Sequence, residues 1–232
     1  MIKLSPRLQI IYDMVPPCAT VADVGCDHGY LAMALLKNDI ADRAIAMDVN
    51  IGPLQSARQN INEAGLSSRA DLRLSDGLCE LEVDEADVVC ICGMGGALIR
   101  RILDADIDVA RSVLLILEPQ SEYRSLRTFL MDRGFRIIDE DLCIEENKIY
   151  PIIKATYDPD SKINYQDYQL EYGPVIIKKN PALLGTLLEK KKREYSDIID
   201  KLSNNPSAQT RINELQYDLD LIQQVKLDLK ED

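Results

Sequence analysis

The stretch Val21-Ala-Asp-Val-Gly-Cys-Asp-His-Gly-Tyr30 decides the fold. Its apolar first half has the composition of a buried strand that ends at Gly25, and a helical pattern begins after Gly29. Glycine at a strand-to-helix turn lets a ligand approach the backbone, and the N-terminus of a helix offers unpaired N–H groups. The stretch therefore predicts a ligand-binding turn at the carboxyl end of a strand.

Short apolar runs alternate with helical patterns around this turn. The predicted strands are Thr20–Val24, Ala44–Met47, Ala70–Leu74, Val88–Ile91, Val113–Leu117 and Phe135–Ile138. The predicted helices are an N-terminal one that ends at Pro16-Pro17, then Tyr30–Lys37, Pro53–Ala64, Ala97–Leu103 and Tyr123–Asp132. This alternation predicts an α/β fold with βαβ units and a mostly parallel sheet. Because no helix fits between Phe135–Ile138 and Lys148–Ala155, we expect these two strands to form an antiparallel hairpin at the sheet edge.

The composition changes after Tyr157. Residues 158–161 read as a linker, and two long helical patterns follow, separated by the turn Asn204-Asn205-Pro206-Ser207. We expect a first domain over residues 1–157 and a small helical domain over 158–232. Near-heptad spacing of the apolar residues favours an antiparallel coiled-coil hairpin in the second domain. The alternative is that both helices pack back on the sheet.

Composition excludes several classes of protein. The 232 residues are 46% hydrophobic and 28% charged, which is typical of a globular chain. No apolar run reaches the roughly 20 residues of a membrane helix, and the N-terminus lacks the apolar region of a secretory signal. We therefore expect a cytoplasmic protein that does not cross a membrane. The six cysteines form no Cys-x-x-Cys pair and there is a single histidine, so no metal site is expected.

The net charge of −12, from 27 basic and 39 acidic residues, argues by itself against nucleic-acid binding, because phosphate contacts need Lys and Arg. The basic residues are, however, concentrated in two segments. One runs from Ile177 to Arg193 and holds six basic residues against Glu189 alone; the other runs from Ser121 to Arg136 and contains four arginines. Each segment is either a phosphate-binding surface or a solvated helix face.

Polar or glycine-rich turns follow three further predicted strands. Asp48 ends the second strand, Ser75-Asp76-Gly77 follows the third, and Cys92-Gly-Met-Gly-Gly96 follows the fourth. Any one of these is compatible with an ordinary surface turn. Because the carboxyl ends of parallel strands share one edge of the sheet, four such turns together indicate a ligand site there. The spacing Gly25-x-x-x-Gly29 departs from the G-x-G-x-x-G dinucleotide pattern and matches the turn with which class I methyltransferases hold S-adenosylmethionine.

The chain resembles a known family through four motifs: Leu4-Ser-Pro-Arg-Leu8, Ala22-Asp-Val-Gly-Cys-Asp-His-Gly-Tyr30, Gly93-Met-Gly-Gly96 and Leu117-Glu-Pro-Gln120. They are similar to those of the bacterial methyltransferases that modify N1 of adenine 22 in tRNA. The resemblance covers nearly the whole chain and implies a Rossmann-like methyltransferase domain followed by paired helices. It also implies S-adenosylmethionine as cofactor, bound by Arg7, Asp23, Gly25, Cys26, Asp27, Gly29, Asp48, Val49, Asp76, Gly77, Gly93 and Met94. Cys26 departs from the small or Thr-like residue that is usual in the family.

The resemblance also implies a reaction. N1 of neutral adenine already carries a lone pair, so catalysis rests mainly on positioning the two reactants. We expect Asp27 to stabilise the cationic product and Tyr30 to stack on a flipped base. His28 is a candidate acceptor for the later loss of the N6 proton. The alternatives are that His28 only rigidifies the turn and that Tyr30 only packs at the start of the helix.

The expected partner is tRNA, and the chain is expected to act as a monomer. The predicted phosphate contacts are Lys190, Lys191, Lys192, Arg193, Arg124 and Arg127. Three other functions compete with this interpretation. The first is a small-molecule methyltransferase, which would need no basic surface. The second is a non-catalytic nucleotide-binding module, which would not need a complete set of cofactor carboxylates. The third is a nicotinamide oxidoreductase, which the glycine spacing disfavours.

Overall fold

The computed structural model describes residues 2–145, 148–161 and 163–231. It divides into two compact units, Met1–Ile163 and Asn164–Asp232. The first unit contains the whole sheet, and the second is helical. None of the helices in the described ranges is both long and apolar enough to cross a membrane.

The first unit is built on a seven-stranded sheet in the order β3-β2-β1-β4-β5-β7-β6. The strands are β1 (Cys18–Val24), β2 (Ala41–Asp48), β3 (Ala70–Leu74), β4 (Val88–Met94), β5 (Leu114–Pro119), β6 (Phe135–Glu145) and β7 (Lys148–Tyr157). Strands β1 to β5 pair in parallel, which confirms the predicted βαβ organisation. The strand order changes direction at β1, between β2 and β4, and this is where open α/β sheets bind ligands.

One helix precedes the first strand, and five more lie between strands. They are α1 (Pro6–Met14), α2 (Tyr30–Lys37), α3 (Ile51–Glu63), α4 (Gly96–Ala105), α5 (Ile107–Ser112) and α6 (Tyr123–Asp132). Local chemistry explains where α1 begins: the Ser5 hydroxyl accepts a hydrogen bond from the Leu8 amide, and Pro6 occupies the first helical position. The bounds of α2 and α6 are those predicted from the sequence. Helix α5 was not predicted, because six residues are too few to show helical periodicity.

The predicted edge hairpin is confirmed and is longer than expected. Strand β7 is antiparallel to both β5 and β6, so the second strand of the hairpin lies inside the sheet and the first forms the edge. The pairing shifts by one residue between Ile137 and Asp139, which is the mark of a bulge. A bulge twists an edge strand and reduces its tendency to pair with another chain.

The core lies on both faces of the central strands. The last four residues of β1 are almost fully buried, as are Val88–Ile91 of β4, so these strands are apolar runs without alternation. Helix α2 buries six consecutive residues, Leu31 to Leu36, and is therefore covered on all sides. This burial holds the start of α2 firmly beneath the turn that precedes it.

The second unit consists of α7 (Asp167–Tyr172), α8 (Ile176–Lys179), α9 (Pro181–Leu202) and α10 (Gln209–Glu231). The two long helices were predicted and the two short ones were not. A single 3-10 turn, Pro206–Ala208, lies between α9 and α10, and an ion pair joins Lys226 to Glu189 across the two helices. Apolar residues from both helices are buried: Leu184, Leu188, Ile212, Leu215, Leu221, Ile222 and Val225.

The position of Arg127 contradicts its predicted role. Its side chain is 1% exposed, and Nε lies 2.7 Å from Oε1 of Glu140, which is fully buried. A buried guanidinium paired with a buried carboxylate cannot reach a phosphate, so the prediction that Arg127 binds tRNA is wrong. The cause is the register of α6: Leu126, Arg127 and Leu130 face the sheet together. From a helical pattern alone, a charged residue is predicted to face solvent. The buried partner that changes this prediction, here Glu140, is visible only in the structure.

We expect Arg127→Ala to destabilise the protein by about 3–5 kcal/mol, because Glu140 would remain as a buried charge without its partner. Urea unfolding measures the change in the free energy of unfolding. Arg133→Ala, directly after the same helix, is the matched control, since Arg133 and Asp104 form a pair with both side chains about half exposed, worth less than about 1 kcal/mol. Equal stability of the two variants would contradict the assignment.

Candidate active site

The turn between β1 and α2 forms the centre of the site. Gly25 and Gly29 have φ angles of +75° and +72°, in the left-handed region that glycine adopts without strain, and Asp27 also has a positive φ of +48°. The amides of Gly25 and Cys26 both donate to the Met47 carbonyl of β2, at 2.8 and 3.0 Å. The turn is therefore tied to the neighbouring strand rather than free in solvent.

A cavity of about 340 Å³ opens beside this turn. It is lined by eight of the predicted site residues: Arg7, Asp23, Gly25, Cys26, Asp27, His28, Tyr30 and Gly93. The lining also includes residues without a predicted role, among them Cys92, Glu118 and Gln120. The structure thus brings together the turn after β1, the end of β4, the end of β5 and the N-terminal helix.

The other predicted cofactor residues do not line this cavity. Asp48 and Val49 lie at the end of β2, and Asp76 and Gly77 follow β3, so they continue the same edge of the sheet outward. Asp48 is 9% exposed, and its Oδ1 accepts the Asn50 amide at 2.8 Å. The side chains of Val49 and Asp76 are exposed.

Gly29 and Met94 do not line the cavity, but both shape the packing of the turn. A Cβ at Gly29 would lie 3.2 Å from the Cβ of Ala57 on α3, so the turn packs closely against that helix. A Cβ at Gly25 would lie only 2.5 Å from Cε of Met94. The side chain of Met94 therefore fills the space above Gly25, which is a packing role rather than a contact with the cavity.

Asp23 is a buried carboxylate directly below the turn. Burial and, to a lesser extent, the charge of Asp48 raise its pKa to about 7, against the opposing effect of a hydrogen bond from the Ala32 amide. Ala32 lies in the first turn of α2, so Asp23 satisfies one of the unpaired amides of that helix. Asp23 is thus fixed between the strand and the helix and lines the cavity.

Three side chains of the turn lie at the mouth of the cavity. His28 Nε2 is 3.6 Å from Asp27 Oδ1, and the rings of His28 and Tyr30 are 5.6 Å apart at 38°. Tyr30 is 44% exposed although it begins a helix, which disfavours the alternative that it only packs there. Asn60, which sequence analysis missed, donates from Nδ2 to the His28 carbonyl at 3.0 Å and holds the turn against α3.

The end of β4 is joined to the end of β5 by a carboxylate. The Gly93 amide donates to Oε2 of Glu118 at 2.6 Å, and Glu118 itself is fully buried. Burial raises the pKa of Glu118 to about 6, although Arg7 and the Gly93 amide both lower it. Sequence analysis noted this residue only within Leu117-Glu-Pro-Gln120, and a carboxylate directly after an apolar strand was the signal available.

Arg7 reaches the cavity from helix α1. Its Nη1 lies 3.7 Å from Glu118 Oε1, its Nε lies 3.9 Å from Glu145 Oε2, and the guanidinium lies over the ring of Tyr150 at 4.8 Å. Two carboxylates and an aromatic ring therefore orient this cation. No three His, Cys, Asp or Glu side chains in the described part of the chain form a group that could bind a metal ion.

The predicted phosphate contacts differ in their surroundings. Lys190, Lys192 and Arg193 are exposed on α9, whereas Lys191 is half-buried with its ammonium 5.4 Å from the Tyr172 ring centre. Arg124 is half-buried on α6. Two further arginines of the segment from 121 to 136 are committed to internal ion pairs, Arg133 with Asp104 and Arg136 with Asp158.

The sheet order and the glycine turn beside a carboxylate-lined edge define a Rossmann-like methyltransferase. The family model for tRNA (adenine(22)-N(1))-methyltransferase matches residues 21–224, and the chain belongs to this family. The Bacillus subtilis (strain 168) enzyme of that name is 31% identical over 232 residues, which is 97% of each chain.

Two solved structures extend the comparison. The crystal structure of the methyltransferase TrmK from Bacillus subtilis has a TM-score of 0.87 at 31% identity, with 97% of this chain and 99% of that chain covered. TrmK from M. capricolum, in complex with the cofactor product S-adenosyl-homocysteine, has a TM-score of 0.83 at 25% identity, with 97% and 98% covered. The likeness therefore includes both units of the chain.

Proposed function

We propose that the cavity beside Gly25–Gly29 holds the methyl donor and the acceptor base of a tRNA (adenine-N1)-methyltransferase. The chain is an S-adenosylmethionine-dependent enzyme that methylates N1 of adenine in tRNA, as its family membership establishes. The observation that supports the site is the convergence of the ends of three strands, β1, β4 and β5, with the N-terminal helix around one cavity. The proposal concerns which residues perform each part of the reaction.

The residues at this edge fit S-adenosylmethionine. The cavity has the volume of a small-molecule site, and the left-handed glycines at 25 and 93 bring the backbone to its wall. We assign the ribose hydroxyls to Asp48 and the adenine amino group to Asp76, with Val49 and Gly77 beside them. The methionine end belongs to the turn, where Asp23, Cys26, Asp27 and Gly29 surround it and Arg7 faces its carboxylate.

Positioning is the main contribution of the protein to the reaction. The cofactor supplies an electrophilic methyl group, and N1 of adenine supplies a lone pair without prior deprotonation. The turn and the Gly93 loop hold the two reactants in line, which is worth several kcal/mol of barrier. Tyr30 offers an exposed ring at the cavity mouth for stacking of the flipped adenine.

Charge stabilisation is assigned to Asp27 and His28. Methylation makes the adenine cationic, and the exposed carboxylate of Asp27 at the cavity mouth stabilises that charge. His28 lies beside Asp27 and accepts the N6 proton if it leaves. The hydrogen bond from Asn60 to the His28 backbone also supports the alternative in which His28 holds the shape of the turn.

The site of action and the assembly state are part of the same proposal. An enzyme whose substrate is tRNA acts in the cytoplasm. We propose that it acts as a monomer.

We expect Asp48→Ala to lower the affinity for S-adenosylmethionine at least tenfold, because two charge-assisted hydrogen bonds to the ribose are lost. Titration calorimetry measures the affinity, and circular dichroism verifies the fold. Asp42→Ala is the matched control, since Asp42 is exposed near the opposite end of the same strand. Unchanged affinity in a folded Asp48→Ala variant would refute the assignment.

The product of the reaction should be 1-methyladenosine at position 22. Unmodified tRNA is incubated with the protein and labelled S-adenosylmethionine, and the digested nucleosides are identified by mass spectrometry. A tRNA with guanine in place of adenine 22 should receive no label. Labelled N6-methyladenosine, or label on a small molecule instead of tRNA, would contradict the proposal.

The exposed cations of α9 are proposed as phosphate contacts. Replacing Lys190, Lys191, Lys192 and Arg193 with Gln should weaken tRNA binding and make the slope of log K against log salt shallower by about 2 to 3, the value for three phosphates. Affinity for the cofactor should not change. The control replaces Lys37, the last residue of α2, and Arg43 of β2, both of which are exposed on the first unit. Normal tRNA binding by the quadruple variant at every salt concentration would remove this surface from the proposal.

A further inference from the structure

Glu118 lines the cavity but has no role in the function proposed above. It ends β5 and is fully buried, with Oε2 accepting the Gly93 amide at 2.6 Å. Its second oxygen, Oε1, is also buried and accepts no hydrogen bond from any residue within the described ranges. A buried carboxylate oxygen without a donor is costly, so its presence in a cavity indicates that a ligand supplies the donor.

The cation nearest to Oε1 does not satisfy it. Arg7 Nη1 lies 3.7 Å away, which is beyond hydrogen-bond distance, and the guanidinium is shared with Glu145 and the Tyr150 ring. Burial raises the pKa of Glu118 to about 6, so the group is mostly ionised at neutral pH. Oε1 therefore presents a charged acceptor to the cavity and favours an N–H donor.

The order of the strands indicates which reactant carries that donor. The carboxylates assigned to the nucleoside part of the cofactor lie on β2 and β3, on one side of β1, whereas Glu118 lies beyond β4 on the other side. Its hydrogen bond with the Gly93 amide joins it to the end of β4, and the proposed function places the acceptor base beside this strand end. The donor is thus expected on the acceptor base, and adenine carries an amino group at N6, next to N1.

We propose that Glu118 Oε1 accepts a hydrogen bond from the N6 amino group of the target adenine and so aims N1 at the methyl group. This inference rests on the proposed function, which places the acceptor in this cavity. It also accounts for base selection, because guanine has an oxygen at the equivalent position and a proton on N1. The guanine oxygen would face the carboxylate without a hydrogen between them, and the protonated N1 has no lone pair to attack the methyl group.

The contact strengthens as the reaction proceeds. A carbon–nitrogen bond forms at N1 while the carbon–sulfur bond of the donor breaks, and the positive charge passes from sulfur to the adenine. No proton moves to Glu118 in this step. The charge on the product is shared between N1 and the N6 amino group, so the carboxylate interacts more strongly with the transition state than with the neutral base.

The test is a double-mutant cycle between the protein and its tRNA. The protein is wild type or Glu118→Gln, and the tRNA carries adenine or unsubstituted purine at position 22, which lacks only the amino group. The Gln side chain keeps the size of Glu and an acceptor for the Gly93 amide, but turns an N–H group toward the cavity. The cycle cancels the lower nucleophilicity of purine, because both enzymes act on it.

We expect Glu118→Gln to lower kcat/KM for the adenine tRNA by about tenfold to a hundredfold, the effect of one hydrogen bond to a charged group. With the purine tRNA the two enzymes should differ by less than about threefold. An equal loss on both tRNAs would overturn the inference. A tenfold loss of affinity of Glu118→Gln for S-adenosylmethionine would also overturn it, because Oε1 would then accept a hydrogen bond from the ammonium group of the cofactor.

Controls separate this inference from the function on which it rests. If the wild-type protein forms no 1-methyladenosine, the proposed function is refuted. If it forms 1-methyladenosine but the cycle shows no coupling between Glu118 and the N6 amino group, only the role of Glu118 is refuted. Glu63→Gln makes the same change in an exposed carboxylate of α3 that does not line the cavity, and it should leave kcat/KM unchanged. If Glu118→Gln does not fold, Glu118→Asp keeps the charge, shortens the reach and enters the same cycle with the same expected coupling.

Discussion

Two hydrogen bonds from the glycine turn to one carbonyl hold the site together. The amides of Gly25 and Cys26 both donate to the Met47 carbonyl, so the end of β1 is joined to the end of β2. This bond places Asp48, the next residue of β2, beside the turn. It also fixes the start of α2, where Asp23 accepts the Ala32 amide. The left-handed conformation of Gly25 allows the chain to turn sharply enough for both amides to reach the same oxygen.

Carboxylates that are withdrawn from water surround this turn. Asp23, Asp48 and Glu118 are three of the few charged side chains that are buried in the described part of the chain. Burial raises the pKa of both Asp23 and Glu118, which shows that the folded protein bears a cost for keeping them ionised. A ligand that brings hydroxyl, amino or ammonium donors offsets that cost. These buried carboxylates lower the stability of the protein without ligand and raise its affinity for a ligand that supplies such donors.

The distribution of cations follows a related division. Several arginines of the first unit are committed to carboxylates of the same unit, with Arg127 in the core and Arg133 and Arg136 nearer the surface. They stabilise the fold, and their charge is largely compensated there. On α9 three of the four consecutive cations are exposed, and Lys190 has only a 4.0 Å contact with Glu194. A chain of net charge −12 can attract RNA only through such local concentrations of positive charge.

Much of the fold could be predicted from residues that act locally. The bounds of β3, α2 and α6 follow from apolar runs and periodicity, and the antiparallel hairpin follows from the short distance along the chain between its strands. The turn at Gly25 and the acidic residues at the ends of β2 and β3 are visible because each strand end carries its own signal. The short helices α5, α7 and α8 were missed, since four to six residues make less than two helical turns and cannot show a repeating pattern.

The contacts made between distant parts of the chain were decided only in the folded protein. Arg127 reads as an exposed cation of a helix until Glu140, on a strand laid down later, is found beside it in the core. Glu118 reads as a strand-end residue until the fold brings the Gly93 amide to one of its oxygens and leaves the other in the cavity. Backbone conformation depends mainly on residues that are close along the chain, so it can be predicted from the local sequence pattern. Burial and pairing of a charge depend on which strands and helices meet, and that is a property of the tertiary structure.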